Sequence, residues 1–117
     1  MEARGPRPGV PVRGSESGRP VMAALDLLGR RWTMRILWEL SQVPAGFREL
    51  QRRCERMSSS VLTTRLDELT SARLLTLQPD GYHLTALGRD LVKALSPLDA
   101  WSRRWAKETG DMTTEES

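Results

Sequence analysis

Short hydroxyl side chains are concentrated in one segment of the chain, MSSSVLTTRLDEL, which spans residues 57–69. At the start of a helix such side chains allow close approach to a partner, and they both donate and accept hydrogen bonds with bases and phosphates. The amide groups of a helix N-terminus also favour a nearby phosphate. The residues concerned are Ser58, Ser59, Ser60, Thr63 and Thr64. They indicate binding to nucleic acid; an ordinary polar, solvent-facing helix is the alternative.

Arginines flank this segment and supply complementary chemistry. An arginine grips phosphate with two parallel hydrogen bonds, whereas a lysine acts as a point charge. The candidate phosphate-binding residues are Arg48, Arg52, Arg53, Arg56 and Arg65. Contacts of this kind position a protein on DNA without reading its sequence. In the alternative interpretation each is a solvated surface charge, and a GC-rich genome explains the preference for arginine over lysine equally well.

Two apolar helices are predicted before these residues. Pro20 suits a first helical turn and Gly29 suits a C-cap, which predicts a short helix between them. The next helix, RRWTMRILWELSQV, begins at Arg30 and has apolar residues around much of its circumference. It is therefore expected to be central and buried, and to end at Pro44 and Gly46.

The arginines and hydroxyls then fall on two helices joined by a short turn. The first of these helices runs from Phe47 to about Cys54. Ser58 is a good N-cap for the second helix, which covers roughly residues 59–71. Leucines four and three residues apart give this second helix a single apolar stripe, formed by Leu62, Leu66 and Leu69.

A small β-hairpin follows, because two strand-forming runs at 74–78 and 82–84 flank Pro79-Asp80-Gly81. Gly81 and His83 lie at or near its tip and are the candidates there for contact with DNA. His83 is also readily explained as an ordinary strand residue.

One more helix completes the predicted structure. Thr85 can cap its start, and Pro97 predicts a kink or break within it, with Ser96 as a new N-cap. The predicted fold class is mainly α with a small β-hairpin, in the order of a helix-turn-helix followed by a wing. Such a unit places its second helix in a DNA major groove.

The charge distribution favours a polyanionic partner. The chain carries 18 Lys and Arg against 15 Asp and Glu, for a net charge of +3. Residues 21–107 hold fourteen basic and nine acidic side chains, whereas residues 108–117 hold four acidic and no basic ones. A basic domain at 20–107, between a disordered tail at 1–19 and a disordered acidic tail at 108–117, suits binding to DNA.

The cysteine and histidine content argues against catalytic and metal chemistry. The single Cys54 excludes a disulfide framework, and with His83 as the one histidine no metal cluster or Ser-His-Asp triad is easily assembled. No nucleophile–base pair or phosphate loop is visible, so neither an enzyme nor a cofactor is predicted. The chain lacks a signal peptide and a run of about 18 apolar residues, which predicts a soluble cytoplasmic protein with no membrane partner.

Cys54 has two possible roles. It follows two arginines, which would lower the pKa of its thiol and suit a sensor. It also falls where a small buried core residue would fit, and we favour that structural role.

Five segments in a fixed order resemble the HxlR-type winged helix-turn-helix transcriptional regulators of bacteria. They are ALDLLGRRWTMRILWEL, FRELQRR, MSSSVLTTRLDEL, YHLTALG and a terminal helix bearing Trp101, and they extend over about residues 20–105. The resemblance implies a three-helix core with N- and C-terminal dimerisation helices, a homodimer, and a role as repressor or activator.

The sequence departs from this family in two places. Many members carry a redox-active cysteine just before the proline of the first helix, where this chain has Arg19. Thiol sensing by the family's usual residue is therefore not expected. The hairpin also looks shorter than is usual in the family, which argues against strong minor-groove contact by the wing.

Apolar residues of the first and last helices are the candidates for a dimer interface. The last helix has a wider apolar face than a lone surface helix, and a second copy would cover it. The candidates are Val21, Leu25, Leu28, Leu91, Leu95, Leu98, Trp101 and Trp105. Two-fold symmetry then predicts a palindromic operator with half-sites about one helical turn apart. A pocket lined by aromatic residues that binds a small-molecule effector is a further hypothesis, because the chain has four tryptophans.

The predicted function is sequence-specific binding of double-stranded DNA by a homodimeric transcriptional regulator. Two alternatives remain, namely a winged-helix module that binds protein instead of DNA, and a regulator of another small winged-helix family. The arginines beside the Ser/Thr helix argue against the protein-binding module, because such a module needs no basic face there.

Overall fold

Six helices and one two-stranded hairpin make up the described part of the chain. The computed structural model describes residues 5–6, 8–11, 18–55 and 57–110. The elements are α1 (Pro20–Leu28), α2 (Thr33–Gln42), α3 (Phe47–Arg53), α4 (Ser59–Ser71), β1 (Leu75–Gln78), β2 (Gly81–Leu84), α5 (Ala86–Leu95) and α6 (Pro97–Glu108). The predicted fold class, mainly α with a small β-hairpin, is confirmed.

Capping residues set the helix ends where the sequence predicted them. Ser58 Oγ accepts a hydrogen bond from Val61 N (3.2 Å) at the start of α4. Thr85 Oγ1 accepts one from Gly88 N (3.0 Å) at the start of α5. Gly29 follows the last residue of α1 as its C-cap. The two hydroxyls satisfy amides that have no partner within their own helices.

The core forms where the apolar sides of α2, α3 and α4 meet. Its largest fully buried apolar side chains are Ile36, Leu37, Leu50, Leu62, Leu66 and Leu69. Full burial of a leucine or isoleucine stabilises the fold by about 2 kcal/mol relative to an exposed one. The leucine stripe of α4 therefore lies entirely inside, as its spacing predicted, and determines which side of that helix faces outward.

Helix α2 starts later and is less buried than the sequence predicted. It begins at Thr33 rather than Arg30, because Trp32 adopts a left-handed backbone with a φ of 77°. Met34 and Trp38 are exposed. The helix lies against the core through Thr33, Ile36, Leu37 and Leu40, so the prediction of a buried helix holds for its inner side alone.

A backbone pairing joins the hairpin to the segment before α3. The strands pair antiparallel with Gln78 opposite Gly81, so only Pro79 and Asp80 form the loop. Tyr82 N donates to Ala45 O (2.8 Å), and Ala45 N donates to Tyr82 O (3.3 Å). Ala45 thereby extends the hairpin on its β2 side.

Gly81 is required by this pairing. Its φ is +127°, and a Cβ there would lie 2.6 Å from the carbonyl carbon of Ala45. Both the backbone conformation and the close approach exclude other residues.

The last helix is broken into α5 and α6, as Pro97 predicted. Proline has no amide hydrogen, and here it occupies the beginning of the second helix. Ser96 precedes it, but its side chain makes no capping hydrogen bond. Ser96 thus occupies the predicted N-cap position, but its hydroxyl donates to Lys93 O (3.0 Å) instead of capping α6.

The division into a domain at 20–107 and two disordered tails remains a prediction. Residues 1–4, 7, 12–17 and 111–117 lie outside the described residues. In the described part of the first tail, Pro6 is buried and Gly9 N donates to Gly18 O (2.9 Å). None of the described helices is long and apolar enough to cross a membrane.

Helix α5 and the segment before β1 approach each other closely at Gly88. A Cβ at this position would lie 2.2 Å from Leu74 O and 3.3 Å from Leu84 Cδ2. Two hydrogen bonds hold the approach, from Thr85 N to Leu74 O (3.0 Å) and from Thr85 Oγ1 to Arg73 O (2.7 Å).

We expect Gly88→Ala to lower the free energy of unfolding by about 1–3 kcal/mol, because the added methyl group forces α5 away from Leu74. Urea unfolding followed by circular dichroism measures the change. Gly46→Ser is the matched control, since no atom lies within 4 Å of a Cβ there and Gly46 occupies an N-cap position that serine suits. Equal unfolding midpoints for the two variants would contradict the close approach.

Candidate nucleic-acid interface

The outer side of α4 carries polar side chains. Its exposed residues are Ser59, Ser60, Thr63, Thr64, Asp67 and Thr70, and the capping Ser58 is exposed beside them. All five hydroxyl residues predicted as DNA contacts therefore lie on one surface. Helix α4 has 13 residues, and at 1.5 Å per residue it is about 20 Å long, enough to lie across a major groove.

The hydroxyls on this surface differ in how far they are already engaged. Thr64 Oγ1 donates to Ser60 O (3.0 Å), and the Ser58 and Ser60 hydroxyls lie 3.3 Å apart. Ser59 and Thr63 make no side-chain hydrogen bond to another described residue. Their hydroxyls are therefore free to donate to an external acceptor, whereas Thr64 retains only lone pairs and a methyl group.

Arg48 and Arg52 extend from the exposed side of α3. Arg48 makes no side-chain hydrogen bond or ion pair with a described residue. The side chain of Arg52 is 77% exposed and pairs with Glu49 on the same helix. Exposed pairs of this kind contribute little to stability and exchange readily for another anion. Arg56 lies outside the described residues.

The sequence predicted that Arg53 faces outward to bind phosphate, but its side chain is turned toward the end of α2. Its Nη1 donates to the carbonyl oxygens of Val43 (3.0 Å) and Glu39 (3.4 Å), and its Nε donates to Glu49 Oε2 (2.9 Å). The side chain thus caps the C-terminal end of α2, where a cation is favoured by unpaired carbonyls and by the helix dipole. This environment argues against Arg53 as a phosphate ligand.

Arg65 also has an internal role. Its Nε donates to the backbone oxygen of Arg31 (2.8 Å), and its Nη1 pairs with Glu68 Oε1 (3.1 Å). Only 18% of the Arg65 side chain is exposed. The Arg65 side chain is therefore mostly buried and held within the subunit, which argues against a role as a free phosphate ligand.

Glu68 is the buried acid that the sequence analysis missed. Its carboxylate accepts from both Arg65 and Arg30, the latter at 2.8 Å. A signal was present, because Glu68 follows Arg65 by three residues and lies between Leu66 and Leu69 of the buried stripe.

The hairpin offers less to DNA than the sequence predicted. Gly81 is buried against Ala45, which argues against contact with DNA. His83 is partly buried, and its Nε2 lies 2.7 Å from Asp80 Oδ1. This hydrogen bond lowers the pKa of Asp80. The interaction therefore favours the folded state above the ordinary pKa of aspartate, and is lost as the pH falls through the lowered value.

The candidate dimer residues form exposed apolar surface on α1 and α6. The five that are exposed are Val21, Leu25, Leu98, Trp101 and Trp105. The rings of Trp101 and Trp105 stack with centroids 5.4 Å apart. Leu28, Leu91 and Leu95 are partly buried, the first two against the core. The dimer interface itself remains a prediction.

An apolar cleft of about 350 Å³ lies between α2, α5 and α6. Trp38 is the one tryptophan that lines it, together with Met34, Leu37 and Val92 among others. The cleft has no charged or polar residue that would define a ligand except Asp99 and two serines at its α6 end. An effector therefore remains a prediction without a chemical identity.

Cys54 is fully buried in the core. Burial raises the pKa of its thiol above the ordinary value, although the charge of Arg35 opposes that change. The two preceding arginines therefore do not activate it, and the structural role favoured from the sequence fits this environment. Within the described residues, no group of three or more His, Cys, Asp or Glu side chains is placed to hold a metal ion.

Comparison with known proteins places this arrangement among transcriptional regulators. The family model described as HxlR-like helix-turn-helix matches residues 27–110. The HTH-type transcriptional regulator YodB of Bacillus subtilis (strain 168) is 31% identical over 101 residues, which cover 80% of this chain and 89% of YodB.

Two solved structures share the fold. The crystal structure of quinone-bound YodB has a TM-score of 0.68 at 30% identity, covering 72% of this chain and 96% of that one. A candidate regulator of the MarR family from Enterococcus faecalis V583 also has a TM-score of 0.68, at 28% identity, covering 79% of this chain and 90% of that one.

We expect the Cys54 thiol to react with a disulfide reagent only as fast as the protein unfolds, because the sulfur is buried and its pKa is raised. Absorbance at mild alkaline pH follows the reaction. Thr63→Cys provides the matched control, since that position is exposed and should react at once. A native-state rate for Cys54 close to that of the control thiol would contradict the structural role.

Proposed function

Because this chain belongs to the HxlR-like helix-turn-helix family of DNA-binding transcriptional regulators, we propose that it acts as a homodimer on a palindromic operator. In this proposal, α4 of each subunit enters the major groove of one half-site. The half-sites then lie about 34 Å apart, which is one turn of DNA. A bacterial operator also implies that the protein works in the cytoplasm.

The observation that carries the proposal is the outer side of α4. Ser59 and Thr63 carry unengaged hydroxyls, and Ser60 and Thr64 lie beside them. Hydroxyls of this length can bond to base edges, and a threonine methyl can contact a thymine methyl. We assign sequence discrimination to these four residues and the capping of α4 to Ser58.

Phosphate binding is assigned to Arg48 and Arg52. Both are exposed on α3, and among the described residues neither donates a side-chain hydrogen bond outside that helix. In a helix-turn-helix the helix before the recognition helix crosses the DNA backbone, which is where such side chains are useful. The assignment leaves out Arg53 and Arg65, because both side chains are mostly buried and donate to backbone oxygens within the subunit.

The dimer is supported by the apolar surface on α1 and α6. Stacked tryptophans and exposed leucines are costly to leave in water, and burial between two copies removes that cost. A two-fold arrangement would also place two copies of α4 on the same face of the DNA.

Arg52→Ala should weaken binding to every DNA sequence and reduce the salt slope by about one unit, because one phosphate contact is lost. Fluorescence anisotropy with a labelled duplex at several salt concentrations measures both effects. Arg103→Ala is the matched control, since Arg103 is an exposed arginine on α6 that pairs with Asp99 within its own helix.

The outcomes separate the candidate functions. A slope for Arg52→Ala identical to that of the unaltered protein would remove Arg52 from the interface. If the unaltered protein itself shows no salt-dependent affinity for DNA, the winged-helix module that binds protein becomes the better explanation.

Leu98→Glu should raise the dimer dissociation constant by at least about tenfold, because a carboxylate would be buried among apolar groups at the α6 interface. Sedimentation velocity over a range of protein concentrations measures it. Leu77→Glu is the control, because Leu77 is 62% exposed but lies on the wing, while Leu98 is 48% exposed on α6. Equal association of the two variants would place the dimer contact elsewhere.

A further inference from the structure

Four charged residues join α4 to α1 and to the turn between α1 and α2. We call this set the charged clamp; it consists of Asp26, Arg30, Arg65 and Glu68. Arg30 Nη1 donates to Glu68 Oε2 (2.8 Å), and Arg30 Nη2 donates to Asp26 Oδ2 (3.1 Å). Arg65 Nη1 donates to the other oxygen of Glu68 (3.1 Å). Both carboxylate oxygens of Glu68 are thereby held by arginines from different parts of the fold.

The clamp grips the α1–α2 turn in two places. One is the side chain of Arg30, and the other is the backbone oxygen of Arg31, which accepts from Arg65 Nε (2.8 Å). The turn itself is tight, because Thr33 N donates to Arg30 O (3.1 Å) and Trp32 has a φ of 77°. Because this turn is constrained, the position of α4 relative to the turn also determines its position relative to α1.

Stability alone does not explain the clamp. Glu68 is only 5% exposed, and removing charged groups from water costs as much as their attraction returns in many buried ion pairs. Arg30 Nε is buried with no hydrogen-bond partner among the described residues, which adds a further cost. Apolar side chains of similar volume would stabilise the same contact at least as well. What the charged groups add is a defined geometry, because arginine forks and carboxylates pair in few orientations.

We propose that Glu68 is a positioning residue for DNA binding, which fixes the orientation of α4 relative to α1. The consequence rests on the function proposed above: α1 contributes to the dimer contact, so this orientation sets the separation of the two recognition helices. Glu68 is buried on the inner side of α4, and it acts through the helix rather than by touching DNA.

The orientation is measured directly with spin labels at Ala24→Cys on α1 and Thr63→Cys on α4, both of which are exposed positions. Pulsed electron paramagnetic resonance gives the distance between them, and a large excess of unlabelled protein removes distances between subunits. We expect a narrow distribution for the otherwise unaltered protein. Adding Glu68→Gln should shift or broaden the distribution, because an NH2 group that only donates replaces one of the two oxygens that accept from the arginines.

Two further variants make this result decisive. Arg30→Lys keeps the charge but loses the fork that holds two carboxylates, so it should broaden the distribution even if Glu68→Gln does not fold. Glu39→Gln is the matched control, because Glu39 is a partly buried acid whose arginine partner, Arg35, lies on the same helix. An unchanged distribution in both Arg30→Lys and the folded Glu68→Gln variant would overturn the proposal.

The effect on DNA is tested with three duplexes: a palindromic operator selected from random sequences by the unaltered protein, the same operator lengthened by one base pair between its half-sites, and a random duplex. We expect Glu68→Gln to reduce the preference for the natural spacing by about fivefold, and to leave affinity for the random duplex within about twofold. A purely structural role would lower all three affinities together, in proportion to the fraction unfolded.

The spin-label distances and the spacing preference fail independently, so they test the role of Glu68 and the palindromic operator separately. An unchanged spacing preference in a variant with a broadened distance distribution would overturn the link to operator geometry. If the unaltered protein shows no spacing preference, the palindromic operator is wrong, while the spin-label distances still decide whether Glu68 orients α4.

Discussion

The burial of three leucines on one side of α4 is the constraint on which the rest of the structure depends. Leu62, Leu66 and Leu69 recur at the helical period and are fully enclosed by apolar side chains of neighbouring elements. Because the helix cannot rotate without exposing them, the hydroxyl residues between them must face water. The same packing turns the edge positions of the stripe, Arg65 and Glu68, toward the α1–α2 turn. One apolar pattern thus determines both which residues of α4 face outward and which are tied to the rest of the subunit.

The arginines near α4 divide into two classes that composition cannot distinguish. Arg48 and Arg52 extend into solvent, whereas Arg53 and Arg65 donate to backbone oxygens of other elements. A guanidinium has five donors, which lets it close a helix end and pair with an acid at the same time. Some arginines of a basic sequence therefore serve internal contacts such as helix capping. Fewer positive charges are then available to DNA than the number of arginines indicates.

The sequence predicts the features that arise from neighbouring residues. The caps at Ser58 and Thr85, the break at Pro97 and the leucine stripe depend on local spacing, and the structure agrees with each of them. The features that were missed depend on contacts between distant segments, such as Ala45 with Tyr82 and Arg30 with Glu68. The inward direction of Arg53 belongs to the same group, because nothing in α3 itself reveals the carbonyls at the end of α2.

Candidate site residues follow the same rule. The hydroxyls of α4 were predictable because the apolar stripe fixes their direction, whereas Gly81 was assigned to a loop tip although long-range pairing with the segment at Ala45 buries it. Trp32 is a further case, because its left-handed backbone is a property of the turn between two packed helices rather than of tryptophan.

The close approach at Gly88 couples the hairpin to the two helices that follow it. With the backbone of Leu74 so near to α5, the hairpin cannot slide or tilt while that helix stays still. A movement of the hairpin would therefore require a movement of α5, and of α6, which follows it directly in the chain.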